Sequence, residues 1–187
     1  MRIAVSGTHF IGKSTFIAEF VKKHPEYRSE VEAYYLLQDQ KPMELSLEPS
    51  LDSLLEQLDC SIDQLNKSAN QQNIIFDRSP VDYLAYAMHI LEEDHISVHD
   101  SEISERFEDI KAALNHLDLI VFMPISNENS IEYTEENPEY RKAVDKCFKK
   151  IYRDDIWDIF PSYNHPKIIE MTGDRHNRIA KIQKFIL

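Results

Sequence analysis

Gly7-Thr8-His9-Phe10-Ile11-Gly12-Lys13-Ser14 is the stretch that decides the fold, and it reads GxxxxGKS in a chain that holds only three glycines. The apolar run of residues 2–6 precedes it and the helical pattern of residues 15–21 follows it, which is the strand–loop–helix context of a phosphate-binding loop (P-loop). Gly7 lets the chain turn sharply off the strand, and Gly12 lets the backbone approach a phosphate with no Cβ in the way. We therefore expect backbone amides of this loop to bind phosphate at the start of the following helix.

The side chains of the loop predict its ligands. Lys13 supplies a mobile charge to β- and γ-phosphates, and Ser14 offers a hydroxyl to Mg²⁺. The expected ligands are therefore ATP, with GTP as the alternative, and Mg²⁺. The predicted nucleotide-binding residues of this segment are Gly7, Thr8, His9, Phe10, Ile11, Gly12, Lys13, Ser14 and Thr15. Among them, His9 occupies a position that is expected to accept any side chain.

The charge of the chain limits its partners. The formal net charge is −12, the sequence pI is about 5.1, and no basic stretch is present. This argues against a nucleic-acid groove, because such a groove needs clustered lysine and arginine to release phosphate counterions. The global field also repels ATP, so a local site and Mg²⁺ must hold its phosphates.

Several features indicate a cytoplasmic protein. Cys60 and Cys147 lie far apart and imply neither a disulfide framework nor a metal cluster. No run of about 18 apolar residues predicts a membrane span. Met1 and Arg2 lead directly into the first strand, so no signal peptide is expected. The predicted partner is a small-molecule acceptor, and a homodimer is allowed.

Strand and helix patterns alternate along the chain. Besides the first strand, apolar runs predict strands at residues 73–77, 117–123 and 167–171, and a weaker pattern predicts one at residues 28–32. Helical patterns separate them, one of which begins with Ser79 and Pro80. This alternation predicts a three-layer α/β P-loop NTPase fold, with a five-stranded parallel sheet and helices on both faces. Residues 1–187 read as one domain, in which the irregular stretches 38–50 and 124–138 stand out and the second is a candidate lid.

Asp77 and Arg78 form a second motif. Ile74-Ile75-Phe76-Asp77 is an apolar strand that ends in a carboxylate, and the carboxyl edge of a parallel sheet is where ligands bind. Asp77 should therefore emerge beside the P-loop, where it and Ser14 are the predicted Mg²⁺ ligands. The alternative is that the two residues form a helix cap with a neighbouring ion pair.

The run Phe76-Asp77-Arg78-Ser79-Pro80-Val81-Asp82-Tyr83-Leu84-Ala85-Tyr86 resembles the P-loop nucleoside and nucleotide kinases. It is most similar to small AAA-labelled P-loop kinases related to nicotinamide-riboside kinase domains. The resemblance extends over most of the chain. It implies that Arg78 reaches the transferring phosphoryl group, that Glu32 after the second strand is the general base, and that Gly173 and Arg175 belong to an adenine-side loop.

The chain departs from these relatives at two points. Tyr replaces an arginine expected near Glu32, and the candidate lid carries an acidic run at residues 132–136 where an arginine is expected. Arg141 is the first cation after the lid and the candidate replacement. The alternative is a solvated helix charge paired with Glu139 or Asp145.

Three further interpretations stay open. Glu32 is either the base or an ordinary helix-start carboxylate, and Asp77 is the other candidate base. Tyr34, Tyr35, Tyr83 and Tyr86 either line an aromatic acceptor site or belong to the core.

Together, the motifs and the resemblance predict a P-loop phosphotransferase that uses Lys13, Asp77, Arg78, Glu32 and Arg141 to phosphorylate a nucleoside, nucleotide or ribosyl acceptor. A regulatory GTPase is excluded because no Asp-x-x-Gly motif is present. A remodelling AAA ATPase is not expected, because no helical subdomain follows the predicted fifth strand and its helix. A nucleotide-binding module without kinase activity is the alternative.

Overall fold

The computed structural model describes residues 1–39, 49–126 and 137–186. Five strands alternate with seven helices in these ranges. The strands are β1 (Arg2–Ser6), β2 (Arg28–Glu30), β3 (Ile74–Asp77), β4 (Leu119–Phe122) and β5 (Lys167–Glu170). The helices are α1 (Lys13–Lys23), α2 (Ala33–Gln38), α3 (Leu51–Lys67), α4 (Pro80–Glu93), α5 (Phe107–Leu114), α6 (Pro138–Asp154) and α7 (Arg175–Ile186).

All strand pairs are parallel, and the sheet order is β2-β3-β1-β4-β5. Side chains of β1 alternate between two cores, as the two-residue period of a strand requires. Ala4 faces a core built with α3, α4, α5 and α6, whereas Ile3 and Val5 face a core built with α1 and α7. The predicted fold class, a parallel five-stranded sheet between two helical layers, is confirmed.

Local sequence signals explain where the helices begin. Ser79 and Asp82 form a reciprocal capping box at the start of α4, with Pro80 as the first helical residue. The Asn137 side chain accepts a hydrogen bond from the Tyr140 amide at 3.1 Å and caps α6. These caps fix the ends of both helices that pack over the carboxyl edge of β1.

Some predicted boundaries were wrong. β2 ends at Glu30, two residues earlier than predicted, so Glu32 lies between β2 and α2 as the residue that precedes the helix. The predicted irregular stretch 38–50 and the candidate lid 124–138 fall largely on residues 40–48 and 127–136, which lie outside the described residues.

Candidate active site

The P-loop runs from the carboxyl end of β1 to the amino end of α1. Gly7 has a φ of 141°, and a Cβ at this position would lie 2.6 Å from the carbonyl oxygen of Met123 on the neighbouring chain segment. Gly12 has a φ of 91° in the left-handed region and precedes the first residue of α1. Both positions therefore require glycine because of their positive φ, and Gly7 also because a Cβ would collide with the Met123 carbonyl oxygen.

Lys13 is folded back over the loop. Its Nζ donates to the carbonyl oxygens of Gly7 at 2.9 Å and Thr8 at 2.8 Å. Burial, reinforced by the charge of Arg78, lowers the pKa of Lys13 to about 8. The ammonium group is therefore bound by carbonyl oxygens of the loop, which phosphate oxygens are expected to replace when a nucleotide binds. Phe10 at the loop tip is 54% exposed, and Thr15 is exposed on the first turn of α1.

Ser14 and Asp77 meet at the same edge. The Ser14 hydroxyl donates to Asp77 Oδ2 at 2.8 Å, although the two residues are 63 positions apart. Asp77 Oδ1 is buried and has no hydrogen-bond partner within the described parts of the chain. No cluster of three or more His, Cys, Asp or Glu side chains suited to a metal occurs among the described residues. One hydroxyl and one carboxylate with a spare buried oxygen fit Mg²⁺, which keeps several waters and binds mainly through substrate phosphates.

Arg78 is held between two carboxylates. Its Nε lies 2.6 Å from Glu32 Oε1, and its Nη1 lies 3.3 Å from Asp82 Oδ1 and donates to the Gly7 carbonyl at 3.3 Å. The backbone of Arg78 has a φ of 77°, and its guanidinium carbon lies 5.3 Å from the centre of the Tyr86 ring. Burial lowers the pKa of Arg78, but the neighbouring anions, Glu32 foremost, more than offset it and raise the pKa well above its ordinary value.

Asp82 is the fully buried carboxylate that joins this arginine to the P-loop. Its Oδ1 accepts from the Gly7 amide at 3.1 Å, and its Oδ2 accepts from the Ser6 hydroxyl at 2.6 Å and the Ser79 amide at 3.0 Å. Burial raises the pKa of Asp82, against the opposing charges of Arg78 and Lys13. The sequence alone does not mark Asp82 as a site residue, because its position next to a helix start is fully explained by capping.

A family model described as an AAA domain matches residues 2–178 of the chain. The chain belongs to this AAA-domain family. Comparison with curated protein sequences gives no significant match.

Solved structures similar to this AAA-domain protein include two kinases and a NadR protein. A deoxyadenosine kinase from M. mycoides with bound dATP is 22% identical, with a TM-score of 0.68 over 100% of this chain and 99% of that one. A NadR protein in complex with NR is 13% identical, with a TM-score of 0.62 over 98% of this chain and 50% of that one. Thymidylate kinase from Candida albicans is 15% identical, with a TM-score of 0.57 over 99% and 90%. The predicted resemblance to P-loop kinases is confirmed at the level of family and fold.

Aromatic rings connect the P-loop of the AAA-domain protein to two helices. The Tyr86 hydroxyl on α4 accepts from the His9 amide at 2.9 Å, and the Tyr140 ring on α6 stacks with the His9 ring at 6.0 Å. Burial, with the charges of Arg141, Arg78 and Lys13, lowers the pKa of His9 to about 4. The His9 ring therefore makes specific contacts at a position that the sequence marked as accepting any side chain, and burial favours its neutral form.

Arg141 is buried, with 4% of its surface exposed, whereas its neighbour Lys142 is exposed. Its charge acts on His9, so it lies near the P-loop. Asp145, one of the two partners suggested for it, accepts from the Ile125 amide at 2.8 Å and pairs with Lys149. The alternative of a solvated helix charge is therefore wrong.

The tyrosines named as an acceptor lining divide into two sets. Tyr34, Tyr83 and Tyr86 are buried, whereas Tyr35 is 54% exposed. Tyr83 lies close enough to Glu32 and Arg78 for their charges to act on its pKa, which burial raises well above its ordinary value. Tyr83 and Tyr86 are therefore part of the packing around Arg78, and Tyr34 is also buried.

The loop after β5 reaches the P-loop through a residue that sequence reasoning missed. Arg175, a predicted nucleotide-binding residue, is exposed and pairs with Glu19 of α1. Arg178, one turn further along α7, donates to the carbonyl oxygens of Ile11 at 2.8 Å and Gly173 at 3.0 Å. Its spacing in the sequence carries no signal for this contact, because the partner at Ile11 is 167 positions away.

Across the described ranges, no helix combines the length and apolar character that crossing a bilayer requires.

Proposed function

We propose that this protein is a small-molecule kinase that transfers the γ-phosphoryl group of ATP to a hydroxyl group of a nucleoside or ribosyl compound, with a nucleotide as the less favoured acceptor. The observation that carries the proposal is the Glu32–Arg78 ion pair, 2.6 Å long, at the same sheet edge as the P-loop and the Ser14–Asp77 pair. Solved structures of similar fold include deoxyadenosine and thymidylate kinases, which supports this reaction class. GTP is the alternative donor.

The roles follow from charge and position. Lys13 moves from the loop carbonyls to the β- and γ-phosphates, and Arg78 stabilises the charge of the transferring group. Ser14 and Asp77 would hold Mg²⁺, which supplies charge neutralisation at the β- and γ-phosphates when bound. The acceptor oxygen forms the new bond to γ-phosphorus as the bond to the β-phosphate oxygen breaks, ADP leaves, and Glu32 takes the hydroxyl proton. Arg141 is the proposed additional cation from α6.

The occupation of Arg78 favours a hydroxyl acceptor over a phosphate acceptor. Arg78 already faces Glu32 and Asp82, and its Nη1 donates to the Gly7 carbonyl, so two carboxylates offset its positive charge. A monophosphate acceptor would place further negative charge against Glu32, which is destabilising at this distance. A neutral hydroxyl instead gains a carboxylate that can accept its proton.

The second candidate function is an ATP- or GTP-binding module without transfer. The acidic run at residues 132–136, where related kinases carry an arginine, favours it. In this alternative the P-loop and Asp77 bind nucleotide, and the Glu32–Arg78 pair is structural. For both the kinase and the binding module, we propose a cytoplasmic location, a single domain over residues 1–187 and a homodimer.

The test is ADP release from ATP and Mg²⁺ in the presence of nucleosides, mononucleotides or nicotinamide riboside. The proposal expects turnover with a nucleoside or riboside and much less with mononucleotides. Glu32→Gln should lower kcat by about 10²- to 10⁴-fold, which is the usual range for loss of a general base, with little effect on ATP binding. Nucleotide binding without acceptor-dependent ADP release would favour the binding module.

A further inference from the structure

Arg178 is a buried arginine that joins two loops at the carboxyl edge of the sheet. Only 5% of its surface is exposed. Its Nη1 donates to the Ile11 carbonyl of the P-loop at 2.8 Å and lies 3.6 Å from the Met123 sulfur, while its Nε donates to the Gly173 carbonyl at 3.0 Å. One planar guanidinium therefore spans the P-loop and the loop of residues 172–174, called here the β5 loop.

The strand order gives this connection a direction. β1 lies in the centre, β3 and β2 carry Asp77 and lead to Glu32 on one side, and β4 and β5 lie on the other. If the γ-phosphate of ATP faces Glu32 on one side of β1, the nucleoside part of the same ATP molecule extends to the other side, toward β4 and β5. The β5 loop is the described segment that follows β5 at this carboxyl edge, where ligands of parallel sheets bind.

The β5 loop has a fixed backbone and an open side. Gly173 has a φ of 94°, and a Cβ at this position would approach only the Asn177 Cβ, at 3.7 Å. Asp174 accepts a hydrogen bond from the Asn177 amide at 2.9 Å and so holds the start of α7. A flat ring can therefore approach the Gly173 backbone, while Arg178 fixes the distance of that backbone from the P-loop.

We propose that Arg178 is a positioning residue that holds the β5 loop against the P-loop at the spacing a nucleoside triphosphate needs. The inference rests on the proposed function only in taking the P-loop to bind triphosphate. A nucleoside triphosphate touches both loops, whereas inorganic tripolyphosphate touches the P-loop alone. Ordering both loops before binding lowers the entropic cost of contacting them together, so the benefit of Arg178 is specific to the ligand that has a nucleoside.

The experiment is calorimetric titration of ATP and of tripolyphosphate, each with Mg²⁺, into wild type and variants. Arg178→Met should weaken ATP binding by about 10- to 100-fold and tripolyphosphate binding by less than about threefold, because only the first ligand uses the join. Arg178→Lys should give an intermediate effect on ATP, since an ammonium group cannot reproduce the two-pronged geometry. The matched control is Lys181→Met on the same helix, an exposed residue whose Nζ donates to the Glu170 carbonyl at 3.0 Å, and it should leave both affinities unchanged.

Amide exchange of the ligand-free protein gives an independent result. Exchange at Ile11, Gly12 and Gly173 should become faster in Arg178→Met and stay unchanged in Lys181→Met. Equal weakening of both ligands in the Arg178 variants, or unchanged exchange, would overturn the inference and leave Arg178 as a purely structural contact. If Arg178→Met does not fold, the same test is made with Arg178→Lys, by comparing its loss of affinity for ATP with its loss of affinity for tripolyphosphate. If wild type binds neither ligand, the proposed function fails, and the exchange comparison still tests the join.

Discussion

Replacing Asp82 by asparagine removes the charge at the centre of the site while nearly preserving its shape. In the wild type, Oδ2 accepts from the Ser6 hydroxyl and from the amide and hydroxyl of Ser79, and Oδ1 faces the Gly7 amide and Arg78. Asparagine has a single acceptor oxygen, so at least two of these buried donors lose their acceptor.

The expected cost follows from the partners. A hydrogen bond to a charged group contributes about 1.5–3 kcal/mol. Removing one partner of a buried ion pair costs about 3–5 kcal/mol. Arg78 keeps Glu32 as a second carboxylate, which limits the loss from the ion pair. We therefore expect Asp82→Asn to lower the free energy of unfolding by about 3–5 kcal/mol, and Tm by roughly 6–20 °C, since each kcal/mol corresponds to about 2–4 °C in a domain of this size.

Tyr152→Phe is the matched control within the same network. The Tyr152 hydroxyl donates to Ser6 Oγ at 2.7 Å and carries no charge, so its loss should cost only about 1 kcal/mol. Urea unfolding and calorimetry of the two variants measure both effects. A Tm decrease in Asp82→Asn no larger than that in Tyr152→Phe would refute the assignment of Asp82 as the buried counter-charge of Arg78.

Three further predictions concern the reaction. Because burial lowers the pKa of Lys13 to about 8 from its ordinary value of 10.5, ATP affinity should fall as pH rises above 8, and ATP binding should take up a proton. The same shift makes the contribution of Lys13 to the stability of the folded state increase between pH 8 and 10.5. ATP titrations in buffers of different ionisation enthalpy measure the proton uptake, and an ATP affinity that stays constant up to about pH 10 would contradict the prediction. Asp77→Asn should keep the fold and lower Mg²⁺-dependent turnover by roughly 10²-fold or more, and an unchanged Mg²⁺ requirement would remove Asp77 from the metal site. Arg141→Ala should lower kcat by on the order of 10³ with little loss of ATP affinity, whereas Lys142→Ala, at an exposed position, should stay near wild type. Wild-type kcat values in both variants would make this part of α6 structural.

The sequence carried enough local information to predict the P-loop and most elements. The two glycines of GxxxxGKS predict a backbone that needs glycine at both positions. The structure shows this need in the left-handed conformation of Gly12 and in the close contact at Gly7. Ser79 and Pro80 likewise predicted the start of α4, because a capping residue and a proline in the first turn influence only the few residues next to them.

What the sequence did not predict depends on contacts between distant segments. His9 and Tyr86 are 77 positions apart, and Arg178 and Ile11 are 167 apart, so no local pattern marks either pair. The burial of Arg141 follows from how α6 packs near the P-loop, which the alternation of charged and apolar residues along one helix does not encode. The capping role of Asp82 concealed its second role, because one residue meets both demands.

Phosphorus NMR of wild type with ATP, Mg²⁺ and a panel of nucleosides tests the kinase assignment most directly. We expect the γ-phosphate signal of ATP to be replaced by the signal of a phosphomonoester on one nucleoside. Lys13→Ala should give no such product, because the loop loses the cation that meets the β- and γ-phosphates. ATP that stays intact, or inorganic phosphate that forms at the same rate with and without nucleosides, would contradict the account.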